Sequence, residues 1–223
     1  MKKAAHSVRT RVVAASPAVA GFRPADVALA IAAAFMGVTN AFGQPVGAQV
    51  VAGQALLKQQ GNSLVVTTQN AAGTNRSVIN WQSFSIPVGT STRFDQPTAQ
   101  SLSINRVMGS DPSAIYGTLS SNGRLVLVNP FGITVGAGAV VDTAGFTAST
   151  LKMSDADALA GRLRFTGDGS AGALTVNGNI ISRGGDVVLI APNVSTGSQA
   201  AIQSQGGDAI LAAGQSVEIT GRG

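Results

Sequence analysis

Two stretches near the end of the chain, IISRGGDVVLIA (Ile180–Ala191) and IQSQGGDAILAA (Ile202–Ala213), align without a gap at an offset of 22 residues. Seven of the twelve aligned positions are identical, and self-similarity at a fixed period indicates a repeated supersecondary unit. Each unit reads as strand, Gly-Gly-Asp turn and strand, which is too short to bury its own apolar face, so successive units must stack. About 20–22 residues per turn predicts an all-β parallel β-helix, since the leucine-rich pattern of similar length is missing.

A second match extends the scheme toward the middle of the chain. GRLVLVNP (Gly123–Pro130) aligns with GDVVLIAP (Gly185–Pro192) at an offset of 62 residues. We call one turn of the solenoid a rung, and this offset is close to three rungs. Leu125–Val128 is therefore predicted to be a rung strand that recurs three rungs later. Asn129–Gly132 is predicted to be the turn that leaves it, because Asn-Pro and Phe-Gly are turn formers.

The remaining segments are less regular. Residues 44–110 are predicted to cap the first rung and to form the earliest rungs, because a solenoid needs its end covered, and residues 111–223 are predicted to be the β-helix proper. Trp81 is expected to be a packing residue near the capped end. Ser154–Leu163 is the exception to the strand pattern: it predicts two turns of helix capped by Ser154, with Asp155 and Asp157 in the first turn.

The first forty-three residues have the order of a secretory signal. A basic start precedes twelve uncharged residues, Val27–Val38, and then a region of small residues. A membrane-anchoring helix is the alternative, but twelve residues are too few for the roughly 20 that cross a bilayer. The prediction is a signal peptide with a long basic region, cleaved after Gly43 so that Gln44 becomes the first residue.

Charge and composition argue against several function classes. The chain has no Cys, and its one His, His6, lies in the predicted signal. Most of the net charge of +5 also lies there, because residues 44–223 hold ten Lys and Arg against nine Asp and Glu. No basic stripe remains to bind nucleic acid, so none is expected as a partner.

The sequence contains no residue motif typical of catalysis or cofactor binding, so we expect neither an enzyme nor a bound metal or cofactor. The carboxylates are scattered, and most adjoin turn-forming residues. GDGSAG (Gly167–Gly172) fits a phosphate-loop spacing, but a strand and not a helix follows it, so it is predicted to be an ordinary loop. Asp186 and Asp208, one rung apart, are expected to stack as a ladder or a weak cation site.

Several spaced motifs between Val78 and Leu151 occur in a characteristic order: N-R-V, P-S-x-I-x-G, N-G-x-L-x-L-V-N-P and A-S-T. With the GGDVVLIAPNV and GGDAILAAGQSV rungs, they resemble the N-terminal secretion domain of filamentous-haemagglutinin-like exoproteins. The resemblance covers nearly all of residues 44–223. It implies a right-handed parallel β-helix with an N-terminal cap and extra-helical hairpins.

The same resemblance implies two-partner secretion. The chain would cross the inner membrane through the general secretion machinery and then be recognised by an outer-membrane β-barrel transporter with periplasmic docking domains. It would fold outside, secreted or at the cell surface, as an adhesin-like exoprotein that meets a host or neighbouring cell.

Particular residues carry the resemblance. The family's Asn-Pro-Asn-Gly-Ile corner, which shapes a turn needed for secretion, falls on Asn129, Pro130, Phe131, Gly132 and Ile133. Phe131 departs from the family's Asn. Asn105, from N-R-V, is carried over as a further recognition residue.

Two other interpretations stay open at this stage. One is a β-helix enzyme that acts on polysaccharide, which would need clustered acids and bases in one groove. The other is a truncated, non-functional remnant of a longer exoprotein gene, since the sequence stops just after a rung.

Overall fold

The computed structural model describes residues 43–220, so the predicted signal segment up to residue 42 lies outside the described residues. These residues form twenty strands and one helix. In chain order they are β1 (Gln49–Ala52), β2 (Gln54–Gln60), β3 (Ser63–Gln69), β4 (Arg76–Trp81), β5 (Ser91–Asp95), β6 (Leu102–Val107), β7 (Ser113–Ile115), β8 (Thr118–Ser121), β9 (Arg124–Val128), β10 (Ile133–Val135), β11 (Val140–Thr143), β12 (Gly145–Ser149), α1 (Asp155–Ala160), β13 (Leu163–Thr166), β14 (Leu174–Val176), β15 (Asn179–Ser182), β16 (Val187–Ala191), β17 (Val194–Thr196), β18 (Ala201–Ser204), β19 (Ala209–Ala213) and β20 (Ser216–Ile219).

Three sheets run along the solenoid, and each complete rung gives one strand to each of them. Sheet 1 has the order β1-β4-β6-β9-β12-β16-β19, sheet 2 the order β17-β14-β10-β7, and sheet 3 the order β18-β15-β11-β8-β5-β3-β2. Pairing between rungs is parallel throughout. The predicted all-β parallel β-helix is therefore confirmed.

The register confirms the 22-residue repeat and corrects the longer one. Ile180 pairs with Ile202, and Val187 pairs with Ala209, as the offset of 22 requires. Val126 and Val188 both pair with Thr147, so the matched strands β9 and β16 are two rungs apart. The prediction of three rungs is wrong because residues 150–173, which we call the excursion, leave the solenoid between β12 and β14 and add about one rung's length of chain.

Two apolar cores hold the solenoid together. The inner core lies between the three sheets and includes Leu125, Leu127 and Phe146, each at most 3% exposed. An outer core lies between the other face of sheet 1 and the excursion, and it contains Val126, Val128, Leu151, Met153 and Phe165, among others. A strand that is buried on both faces carries an unbroken apolar run, which explains Leu125–Val128.

Helix α1, the one helix among the described residues, lies in the excursion. The Ser154 hydroxyl accepts from the Asp157 amide at 3.1 Å, so the predicted cap is confirmed. The helix ends three residues before the predicted limit because Gly161 adopts a left-handed conformation, with φ of 69°, that terminates it. Strand β13 follows, and Gly167–Gly172 is a loop, as predicted.

Antiparallel strands lie at the N-terminal end of the solenoid. Strand β1 pairs antiparallel with β4 at the end of sheet 1, and β2 pairs antiparallel with β3 at the end of sheet 3. Trp81 is fully buried and packs edge-on against Phe84, with ring centroids 5.5 Å apart, so it is the packing residue that the sequence predicted. The domain boundary at residue 110 stays a prediction.

Within the described residues, no helix has the length and apolar character needed to cross a membrane.

Two leucines give a matched test of the inner core. Leu127 is 2% exposed and Leu56, on β2, is 63% exposed. Leu127→Ala should lower the free energy of unfolding by about 2–5 kcal/mol, because a cavity remains in the packed interior. Leu56→Ala should change it by less than about 0.5 kcal/mol. Chemical denaturation of both variants measures the difference, and equal effects would contradict the packing described.

Candidate functional site

The predicted corner Asn129–Ile133 lies between β9 of sheet 1 and β10 of sheet 2. It is a tight turn, because the Gly132 amide donates to the Asn129 carbonyl at 3.1 Å. Gly132 has φ of 123°, a conformation that disfavours any side chain. Ile133 begins β10, is fully buried, and pairs with Ser113 and Leu174 on the neighbouring rungs. The corner is thus an integral part of a rung.

Asn129 is fully buried, and its side chain holds the corner in shape. Its Nδ2 donates to the Asp111 carbonyl at 3.0 Å and to the Ser113 Oγ at 2.9 Å, both on the preceding rung. Its Oδ1 accepts from the Phe131 amide at 3.0 Å, which closes an Asx turn. Asn129 therefore acts on the shape of the corner and offers no surface of its own.

The backbone of the corner is clamped between two rungs. The Ser113 amide donates to the Gly132 carbonyl at 2.9 Å, and the Gly172 amide donates to the Pro130 carbonyl at 2.8 Å. A Cβ on Gly172 would lie 2.6 Å from the Phe131 carbonyl oxygen, so only glycine lets the returning excursion approach so closely. The corner depends on the excursion as well as on its own residues.

Phe131 is the side chain that the corner presents to solvent. It is 53% exposed, and Met108 on the preceding rung is 62% exposed. Both line an open groove of about 600 Å³ between the corner and the excursion, together with Arg106, Lys152 and Asp155. The residue that departs from the family pattern is thus the accessible one.

Asn105 is buried inside the solenoid and takes no part in the corner surface. It stacks in register between Ile79 and Leu127 of the inner core. Its Oδ1 accepts from the indole Nε1 of Trp81 at 2.9 Å, and its Nδ2 donates to Ser103. A buried amide among apolar residues is tolerated only when it is bonded in this way, so Asn105 is a packing residue.

Arg106, the middle residue of the same N-R-V motif, was missed by the sequence analysis. Its side chain is 5% exposed and reaches from sheet 1 to the excursion. Nε donates to Asn80 Oδ1, Nη1 donates to the Met153 carbonyl at 3.2 Å, and Nη2 lies 2.6 Å from Asp155 Oδ1. The Nη2 contact is an ion pair without hydrogen-bond alignment. The available signal was a single charged residue inside a strand whose other five residues are uncharged.

Ionic contacts stiffen the excursion beside the groove. Hydrogen bonds from the Ser154 hydroxyl and the Arg162 guanidinium hold the pKa of Asp157 below its ordinary value of 3.8. Hydrogen bonds from Lys152 and Ser170 likewise lower the pKa of Asp168 far below that value. These carboxylates are therefore charged at neutral pH and engaged in structural contacts.

Metal-ligating side chains do not cluster in the part of the chain that the structure describes. No group of three or more His, Cys, Asp or Glu there could hold a metal ion. Asp186 and Asp208 lie one rung apart, as expected, and Asp186 Oδ1 accepts from the Asp208 amide at 2.7 Å. This hydrogen bond joins the side chain of one Gly-Gly-Asp turn to the backbone of the next, while a cation site there stays a prediction.

The predicted cleavage site lies at the start of the described residues. Gly43 has φ of 103°, and the Gln44 side chain is 5% exposed. The Gln44 Nε2 donates to the carbonyls of Asn62 and Ser91, and its Oε1 accepts from Gln59. Gln44 is thus fixed to the first rung, while cleavage after Gly43 stays a prediction.

The stacked sheets, the corner and the excursion define a parallel β-helix domain with an added segment packed against one sheet. A family model described as the TPS secretion domain matches residues 41–222. The chain therefore belongs to the TPS secretion domain family and is the secretion domain of a two-partner secretion exoprotein.

Individual relatives agree with that assignment. The chain is 35% identical over 126 residues to the heme/hemopexin-binding protein of Haemophilus influenzae. The aligned segment is 56% of this chain but only 14% of that protein. The crystal structure of the HMW1 secretion domain from Haemophilus influenzae matches 79% of this chain and 46% of its own, at 32% identity and a TM-score of 0.72. A more distant similarity is to the crystal structure of the filamentous hemagglutinin secretion domain, with 18% identity and a TM-score of 0.48 over 76% of this chain and 77% of that one.

The hydrogen bonds of Asn129 predict a large stability effect. Asn129→Ala leaves buried polar groups without partners, each at a cost of about 1–3 kcal/mol. We expect the free energy of unfolding to fall by at least that amount in denaturant titration. Phe131→Asn, which changes an exposed side chain, should alter it by less than about 1 kcal/mol. An unchanged stability of Asn129→Ala would refute a structural role for its amide.

The pair of Trp81 and Asn105 can be tested by a double-mutant cycle. Asn105→Leu leaves the indole N–H unpaired in the core and should cost about 1–3 kcal/mol of unfolding free energy. In a Trp81→Phe background the same change should cost less, with a coupling energy of about 0.5–3 kcal/mol. Additive effects, measured by circular dichroism in denaturant, would show that the hydrogen bond contributes nothing.

Proposed function

We propose that this domain is recognised by a cognate outer-membrane β-barrel transporter, which carries the exoprotein out of the periplasm. The membership of residues 41–222 in the TPS secretion domain family is the observation that carries this proposal. The proposed route begins with the general secretion machinery and the signal peptide, and the transporter's periplasmic docking domains bind the secretion domain. The product is secreted or stays at the cell surface.

The architecture supports export as an unfolded chain. The chain has no Cys, so no disulfide fixes a fold before export. Each rung adds a parallel ladder and apolar side chains to the rung before it, so burial of apolar surface increases stepwise as rungs stack. Folding outside the cell would then make return through the transporter unfavourable.

At the corner, we propose two separable contributions to secretion. Asn129, Pro130, Gly132 and Ile133 shape the turn and act through folding. Phe131 is the only one of the five corner residues that is exposed in the folded domain, so a transporter that contacts the folded corner directly meets Phe131. Asn105 acts through the inner core and its bond to Trp81.

For the whole protein we propose an adhesin-like role toward a host or neighbouring cell. The chain spans 14% of the curated heme/hemopexin-binding relative, so that protein's ligand is not carried over to this domain. We propose no catalytic activity, because the matched relatives are named as a binding protein and a secretion domain. In the described residues the carboxylates beside the groove serve ion pairs and helix capping.

The transporter dependence can be tested in a strain that expresses the full exoprotein with its signal. Deleting the cognate transporter gene should abolish release to the medium and leave the protein in the periplasm. A periplasmic marker protein controls for leakage. Equal release with and without the transporter would overturn the proposal.

The corner can be tested in the same strain. Phe131→Ala removes a ring that is 53% exposed and should keep the stability of the domain, so a loss of secretion in this variant would reveal direct contact with the transporter. Unchanged secretion would assign the corner's role to folding alone. Val88→Ala provides the matched control, because Val88 is 77% exposed in a loop away from the groove.

A further inference from the structure

The last described strand, β20, does not continue the solenoid. After β19 completes sheet 1, the chain leaves that sheet and pairs antiparallel with β13 of the excursion. Phe165 faces Val217, and Leu163 faces Ile219. Strands β14 to β19 lie between β13 and β20 in sequence. A segment that follows the late strand β19 is therefore attached to the excursion, which leaves the solenoid several strands earlier.

Apolar contacts make this attachment part of the outer core. Val217 and Ile219 pack against the outer core, in which Phe165 is fully buried. The Gly167 amide donates to the Gln215 carbonyl at 2.8 Å, beyond the end of the β13–β20 ladder. Arg164 and Glu218 form an ion pair at 3.0 Å on the outer side, but both side chains are about half exposed, so this pair contributes little.

Besides β20, the excursion is held by the apolar side chains of sheet 1 in the outer core and by polar contacts from earlier rungs. Arg106 bonds the Met153 carbonyl and pairs with Asp155, and the Arg76 Nε donates to the Leu159 carbonyl at 2.9 Å. These contacts hold the helix. They do not supply a backbone ladder to β13.

Among the described residues, β13 makes one backbone bridge besides its ladder with β20, and that isolated bridge joins Thr166 to Lys152. An isolated strand, or even a lone two-stranded ribbon, is marginal in water, so β13 depends on β20 and on the outer core for its order. We propose that β20 is a latch, by which we mean that it orders β13 through the β13–β20 ladder and completes the outer core over sheet 1. Because β20 follows β16 and β19 in the chain, the excursion closes only after these later rungs have stacked. This inference stands independently of the transporter.

Hydrogen exchange measured on the full chain tests the latch. Val217→Ser/Ile219→Ser removes the apolar side of β20, and Ser216→Ala/Glu218→Gln changes its outward side as a matched control. The first variant should speed amide exchange in residues 163–166 by about tenfold or more, while β9 and β11 change by less than about twofold. The control variant should change neither region by more than about twofold.

Two outcomes would overturn the proposal. Unchanged exchange in residues 163–166 would mean that the excursion is held without β20. Equal acceleration in β9 and β11 would mean that excursion and solenoid open as one unit. If the double variant unfolds completely, the milder Val217→Ala variant provides the same comparison. Phe165→Ala gives the reciprocal test, because loss of its side chain should speed exchange in residues 216–219.

Discussion

Register between stacked rungs is the constraint on which the rest of this structure depends. Side chains alternate between the two faces of a strand, so a slip of one residue would exchange all inward and outward groups. In most sheets the apolar face prevents such a slip. Strand β9 is apolar on both faces, since Leu125 and Leu127 enter the inner core while Val126 and Val128 enter the outer one. Its hydrophobic pattern alone therefore specifies register weakly.

Buried polar residues supply the missing specification. Asn105 meets the indole of Trp81 only when β6 is in register with β4, and Asn129 meets Asp111 and Ser113 only when the corner follows β9 at the right residue. A slipped rung would leave these groups buried and unpaired, at about 1–3 kcal/mol each. The same logic applies on the outer face, where Arg106 finds Asn80 and the Met153 carbonyl. Polar groups inside this solenoid thus select one arrangement among several that bury similar apolar area.

The rung positions could be predicted from the sequence only where no insertion interrupted the 22-residue repeat. The 22-residue repeat was predicted correctly because no insertion separates Ile180 from Ile202 beyond one full rung. The 62-residue match placed Val126 and Val188 on the same face but one rung too far apart, because the excursion is about as long as a rung. The outer core was not predicted, since a strand buried on both faces reads like any short apolar run. At the corner the residues were identified, but which of them face inward depends on contacts from rungs distant in sequence.

These positions limit what a partner can touch on the folded domain. Asn129 is enclosed, and the clamped backbone of the corner is engaged by both neighbouring rungs, so the accessible chemistry there is the ring of Phe131 beside Met108. An effect of Asn129 on recognition of the folded domain must therefore pass through the shape of the turn. A partner that instead bound the unfolded chain would meet Asn129 and Phe131 alike, before the rung forms. A secretion defect in an Asn129 variant whose turn keeps its shape would consequently indicate recognition before folding, whereas a defect confined to Phe131 variants would indicate recognition after it.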